Sequence, residues 1–135
     1  MITPFLCFNG KTEEVIRYYQ TIFGFERPHF LHFNEVPQRG FDVPKHLESG
    51  VMFTEFEIEG TKLMACDHYP GLESTKGQTL SLNIILSDKE RMESWVYALA
   101  SEGTMGMKPQ QTLWAPWYAS VIDKYGLVWQ FSLNI

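Results

Sequence analysis

Apolar and polar positions alternate between two periods along this chain, and the switches between them mark its elements. Ile2 to Phe8 is almost wholly apolar and ends at Asn9-Gly10, which predicts a buried strand and a turn. From Glu13 to Phe23 the spacing of Val15, Ile16, Tyr19, Ile22 and Phe23 predicts an amphipathic helix, with Thr12 as N-cap and Gly24 as stop. A strand around Pro28 to Asn34 is followed by a long irregular loop to residue 50. Val51 to Glu59 alternates, Gly60 turns, and Lys62 to His68 resumes an extended pattern, which reads as a hairpin.

After a polar linker from Pro70 to Gln78 the order repeats. Thr79 to Leu86 predicts a strand, and Ser87 with Glu90 predicts a capping box. Met92, Trp95, Val96 and Leu99 give a helical stripe closed by Gly103. Thr104 to Leu113 reads as a loop or short strand. Tyr118 to Ile122 and Leu127 to Leu133 flank Asp123-Lys124-Tyr125-Gly126 as a second hairpin. A shift of 77 residues lays Phe8 on Ile85, Val15 on Met92, Tyr18 on Trp95 and Ile22 on Leu99, and a shift of 66 lays Gly60 on Gly126. The fold class is therefore α+β, one domain over 1–135 built from two βαβββ modules of about 1–70 and 78–135.

Composition narrows the function. A length of 135 residues suits one core, and 44% apolar with 20% charged residues is ordinary for a folded protein. A net charge of −5 with scattered Lys and Arg argues against a nucleic-acid partner. No apolar run is long enough to span a bilayer and the N-terminus has no signal-peptide pattern, so no membrane partner and a cytoplasmic location are expected. Cys7 and Cys66, the two cysteines, fall in apolar segments and read as buried thiols of a reducing compartment. Aromatics at 15% suit either a bulky core or an aromatic-lined cavity.

Three stretches, the opening Ile2-Thr3-Pro4-Phe5-Leu6-Cys7-Phe8, the helix Glu13-Glu14-Val15-Ile16-Arg17-Tyr18-Tyr19 ending in Phe23-Gly24, and the closing Asp123-Lys124-Tyr125-Gly126-Leu127-Val128-Trp129-Gln130, resemble the PhnB-like branch of the vicinal oxygen chelate (glyoxalase/bleomycin-resistance/dioxygenase) superfamily. The resemblance covers nearly the whole chain. It implies two modules whose curved mixed sheets surround a cavity, the glyoxalase-like fold, and a homodimer. It also implies one metal ligand on the first and fourth strand of each module, at positions matching Pro4, Met64, Ser81 and Gln130. None of these carries imidazole, carboxylate or thiolate, so no metal and no cofactor is expected there.

By strand alternation Lys62, Met64, Cys66 and His68 share one face, Ser81 shares its face with Asn83, and Gln130 with Ser132. These polar groups are either a satisfied internal network or the wall of a ligand cavity. Cys66 and His68 suggest acid-base chemistry, against the blander reading of an inert buried thiol. Trp114, Trp117 and Tyr118 could stack on a flat ligand or seal a subunit interface. His29, His32 and His46, with Asp42, Glu35 or Glu48, are candidates for an unorthodox metal site, against the reading that they are solvated loop side chains. The favoured function is binding of a small organic ligand in an aromatic, metal-free cavity. The alternatives are a metal-dependent lyase or dioxygenase with non-standard ligands, the methyltransferase label carried by relatives, and a purely interacting protein. Whether any catalysis occurs is left open.

Overall fold

The computed structural model describes residues 1–36, 42–68 and 73–134. Within these residues the chain forms two compact units, Met1–Thr75 and Lys76–Ile135. In the first unit β1 (Phe5–Cys7), α1 (Thr12–Phe23), β2 (Leu31–His32), β3 (Val51–Ile58) and β4 (Thr61–Cys66) follow in order. The second holds β5 (Leu82–Leu86), α2 (Lys89–Glu102), β6 (Thr104–Met105), β7 (Tyr118–Ile122) and β8 (Val128–Leu133). Each unit is one open, curved four-stranded sheet with a single helix, in the orders β1-β4-β3-β2 and β5-β8-β7-β6. The first two strands of each order run parallel and the other pairs antiparallel. The α+β class and βαβββ order read from the sequence are those found. No helix among the described residues is long and apolar enough to cross a membrane.

Each sheet buries one face with its helix. In the first unit Val15, Ile16, Tyr19 and Phe23 are buried with Phe56, Ile58, Leu63 and Ala65; in the second Met92, Trp95, Val96 and Leu99 are buried with Ile84, Ala119, Val121, Trp129 and Phe131. Alternation then turns Lys62, Met64 and Cys66, and likewise Asn83, Gln130 and Ser132, to the opposite face.

Several expectations are corrected. Lys11, not Thr12, is the N-cap of α1: Thr12 is already helical, and its hydroxyl donates to the Cys66 carbonyl at 2.7 Å. Asp88, not Ser87, caps α2, because its carboxylate accepts from the Arg91 amide at 3.1 Å. The helices start 77 residues apart, at Thr12 and Lys89, but their buried stripes are offset by 80, with Thr12, Val15, Ile16 and Tyr19 matching Met92, Trp95, Val96 and Leu99 in burial. The reason is that α1 starts on a residue pinned to the sheet, whereas α2 starts one exposed turn earlier. Ile22 is consequently half-buried rather than core. The strand placed at Pro28 to Asn34 shrinks to Leu31–His32, because the chain turns into a 3-10 helix at Phe33–Glu35. The strand placed at Thr79 starts at Leu82. Residues 37–41 of the long loop and 69–72 at the start of the predicted linker lie outside the described residues.

Two buried carboxylates hold the chain reversals. Asp67 accepts from the Thr12 amide at 3.0 Å and the Val51 amide at 2.8 Å, joining the end of β4 to the start of α1 and of β3. Asp123 accepts from the amides of Tyr125 and Leu127 and from the indole of Trp129, closing the β7–β8 loop. Gly103 lets the end of α2 approach this loop, since a Cβ there would meet the Ile122 carbonyl at 2.3 Å. Replacing Asp67 by Ala strands two buried amides and is expected to lower the unfolding free energy by about 2–4 kcal/mol in urea titrations. Glu55→Ala, which removes only an exposed pair with Lys62, should stay within about 0.5 kcal/mol.

Candidate functional site

The free face of the second sheet gathers most of the residues singled out in the sequence. Register sets Asn83 beside Gln130 and Ile85 beside Ser132, with Tyr118 across from Ser132 on the other side. The Gln130 carboxamide is used at both ends: its oxygen accepts from the Tyr118 hydroxyl at 2.6 Å, and its nitrogen donates to Ser81 Oγ at 2.6 Å. Ser132 Oγ donates to Asn83 Oδ1 at 3.0 Å. Trp114, 64% exposed, stands edge-on to Tyr118 with ring centroids 5.2 Å apart. The result is a hydrogen-bonded polar row with an aromatic at one end, on a face that is half-buried to exposed at Ser81, Asn83, Gln130 and Ser132.

Trp117 is not part of this row. Its indole donates to Glu93 Oε1 at 2.8 Å, and Lys89 Nζ lies 3.8 Å from its ring centroid, so it packs on α2. Tyr118 follows it in an alternating strand and points the other way.

The free face of the first sheet carries Met64 and Cys66, and His68 lies beyond the end of β4. Register pairs Phe5 with Met64 and Cys7 with Cys66, and Asn83 with Gln130, while Ser81, two residues before Asn83, keeps its bond to Gln130. Burial, and after it the neighbouring Cys7, push the Cys66 thiol up to about 12, which makes it a poor nucleophile and a poor acid-base partner for His68.

The same unit has a groove of about 730 Å³ between residues 25–31 and β3, lined by Phe25, Arg27, His29 and Phe53 among others. Next to it is a charged cluster that the loop-histidine reading missed. His32 holds Glu13 Oε1 at 2.8 Å through Nε2 and Glu35 Oε1 at 2.6 Å through Nδ1, while Arg17 pairs with Glu13 at 3.0 Å. Only the tertiary approach of α1 reveals it; the one local signal was the spacing of His32 and Glu35. His29 and His46 are exposed.

Neither a metal nor a nucleoside-borne methyl donor fits these residues. Phe5, Met64, Asn83 and Gln130, like Pro4 and Ser81, supply no donor suited to Zn, Ni or Fe. Among the described residues no three His, Cys, Asp or Glu side chains group to hold a metal ion. A nucleotide-like donor needs free amides at a glycine-rich helix start. The β1–α1 turn holds the single glycine Gly10, and the Thr12 amide is already given to Asp67.

A βαβββ unit used twice, with each sheet backed by one helix, defines the class as glyoxalase-like. A glyoxalase/bleomycin resistance protein/dioxygenase family enzyme from Burkholderia phytofirmans PsJN shares this fold with a TM-score of 0.64, 16% identity and coverage of 97% of both chains. The chain belongs to the family described as 3-demethylubiquinone-9 3-methyltransferase, the PhnB-like group, whose sequence model matches residues 1–132. It is 31% identical over 140 residues to Protein YjdN of Escherichia coli (strain K12), covering 98% of this chain and 94% of that one. Protein PA1353 from Pseudomonas aeruginosa matches with a TM-score of 0.84 and 24% identity, over 99% of this chain and 97% of its own.

The His32 cluster makes a pH prediction. Burial opposes the His32 charge, but its hydrogen bonds to the Glu13 and Glu35 carboxylates outweigh it and raise its pKa above the ordinary 6.5; the bond from His32 lowers Glu13 and Glu35 below 4.5. The histidine contribution is complete below 6.5 and fades as pH rises through the raised value, and the carboxylate contribution is complete above 4.5 and fades as pH falls through the lowered values. His32→Gln should therefore lower Tm most between pH 4.5 and 6.5 and progressively less at higher pH, in scans of both proteins across that range.

Proposed function

We propose that this protein binds a small organic ligand, flat and bearing at least one hydrogen-bonding edge, on the free face of its second sheet, without a metal or cofactor. The observation that carries this reading is the row Ser81–Gln130–Tyr118 with Asn83–Ser132. A fold needs no such ordered polar network on a face it does not bury, and donors and acceptors held by one another are oriented before a ligand arrives. Trp114 supplies an exposed ring on which a planar molecule can stack. Cys66 and His68 have no role in this reading, and Trp117 serves α2.

A metal-dependent lyase or dioxygenase reaction and a methyl transfer both lack the groups they would need among these residues, so the family's methyltransferase description is not carried over as an activity. That residues 1–135 act as one glyoxalase-like domain, that the protein is a homodimer, and that it works in the reducing cytoplasm where Cys7 and Cys66 stay as thiols are parts of the same proposal. Phe5 and Ile85 leave more than half of their surface exposed, apolar area that a second subunit would cover. Light scattering should then give twice the chain mass, and a monomer at micromolar concentration would remove the dimer from the proposal.

The ligand is tested by thermal shift against a library of aromatic acids, amides and heterocycles. A compound present at about 100 times its Kd should stabilise the fold by about 2.7 kcal/mol. Trp114→Ala and Gln130→Leu should each weaken that compound about tenfold while remaining folded. No hit, or hits unaffected by both substitutions but lost in Arg27→Ala, would overturn the assignment of this face, the second result in favour of the groove beside β3.

A further inference from the structure

The outer strands of the two sheets are finished differently. In the second unit the chain leaving α2 pairs along β7 from end to end: Thr104 and Met105 stand opposite Ile122 and Val121, the Gly106 amide donates to the Ser120 carbonyl, and Gln110 and Tyr118 exchange both backbone bonds. In the first unit β2 stands opposite only Phe53 and Val51, and among the described residues no backbone bond joins residues 25–30 to β3. The two-residue turn Glu59-Gly60 makes Ile58 and Thr61 a hydrogen-bonded pair. Alternation then turns the amides and carbonyls of Phe56 and Thr54 toward β4, and those of Glu57 and Glu55 away from it. Between Phe53 and the turn, β3 is an open edge.

The residues that follow α1 are held back from closing it. The Phe25 ring packs on Phe56 with centroids 4.9 Å apart, its carbonyl accepts from the Gln20 side chain at 3.4 Å, and Pro28 has no N–H to give. The His29 carbonyl takes the Thr54 hydroxyl at 2.8 Å in place of a backbone amide. Between this segment and the edge lies the groove of about 730 Å³.

We propose that the outer edge of β3, from Phe53 to Ile58, binds an extended peptide strand with lysine or arginine at alternate positions. An added strand pairs its backbone with the outward groups of Glu55 and Glu57 and sets its side chains about 4.5–5.5 Å from theirs. On the free face those neighbours are two exposed carboxylates, which select cations, and Glu26 and Glu59 bring two more to the groove against Arg27 and Lys62. On the helix side the neighbour is the Phe25 ring, which suits the apolar residues in between. A second copy of β3 does not fit, because its own Glu55 and Glu57 would stand against these. The edge lies in the first unit and does not depend on the ligand proposed for the second.

The probe is a fluorescent peptide of about eight residues, a strand's length, that alternates lysine with valine. Titrated into the full chain and followed by anisotropy, it should bind with a Kd of about 10–100 μM that rises with salt. Amide shifts of the labelled protein should centre on Glu55 and Glu57. Glu57→Pro removes one outward amide and no bond to β4, and should weaken binding at least about tenfold. Glu55→Lys combined with Glu57→Lys should lose the lysine peptide and gain its glutamate analogue, an exchange that loss of folding does not produce. No binding at about 1 mM peptide, equal binding of a peptide N-methylated at alternate residues, or amide shifts on another surface would each overturn the proposal. A wild-type dimer that Glu57→Pro breaks, seen by light scattering, would give the edge to a second copy and overturn it as well.

Discussion

A four-stranded sheet with one helix can hide only one of its two faces, and in both units of this protein the helix decides which. Val15, Ile16 and Tyr19 fill one side of the first sheet, and Met92, Trp95, Val96 and Leu99 fill one side of the second. The choice is enforced by more than apolar area. Asp67 accepts from the first amide of α1 and from the start of β3, so the helix cannot shift along the sheet without stranding buried donors. Asp123 does comparable work in the loop that leads into Trp129, the largest fully buried side chain. Everything said of the sites concerns the faces these contacts leave free.

The two free faces have diverged in chemistry although the backbone plan repeats. Where the second sheet sets Asn83 beside Gln130, the first sets Phe5 beside Met64; where the second sets Ile85 beside Ser132, the first sets Cys7 beside Cys66. One face thus offers oriented hydrogen bonds and an exposed indole, the other a phenyl ring and sulfur. Hydrogen-bonding side chains read the edges of organic molecules. A duplicated scaffold can carry both because the residues that pack each helix against its sheet leave the other face free to vary.

Much of this architecture was legible in the chain. The periodicity of Val15 to Phe23 and Met92 to Leu99, the stop at Gly24, and the alternation around Met64 and Gln130 sufficed for the βαβββ order and for which side of each strand faces the core. So did the polar row of Ser81, Asn83, Gln130 and Ser132, whose bonds the structure supplies. What failed was register. Parallel pairing of β1 with β4 has no turn to set it, so the sequence did not show that Phe5 stands beside Met64 and Cys7 beside Cys66. Trp117 was assigned with its neighbours because a loop residue has no periodicity to orient it. His32 looked like a loop histidine because its partner Glu13 lies 19 residues away, across the unit's fold.

The central claim is that the uncovered face of the second sheet, and not its helix-backed face, meets a ligand. Side-chain amide and indole resonances of the labelled protein test this directly, with a compound found by thermal shift added in steps. The account predicts shifts concentrated at the Gln130 and Asn83 carboxamides and the Trp114 indole, with the Trp95 and Trp129 indoles unmoved. Perturbation confined to residues of α2 and the buried side of the sheet would contradict it.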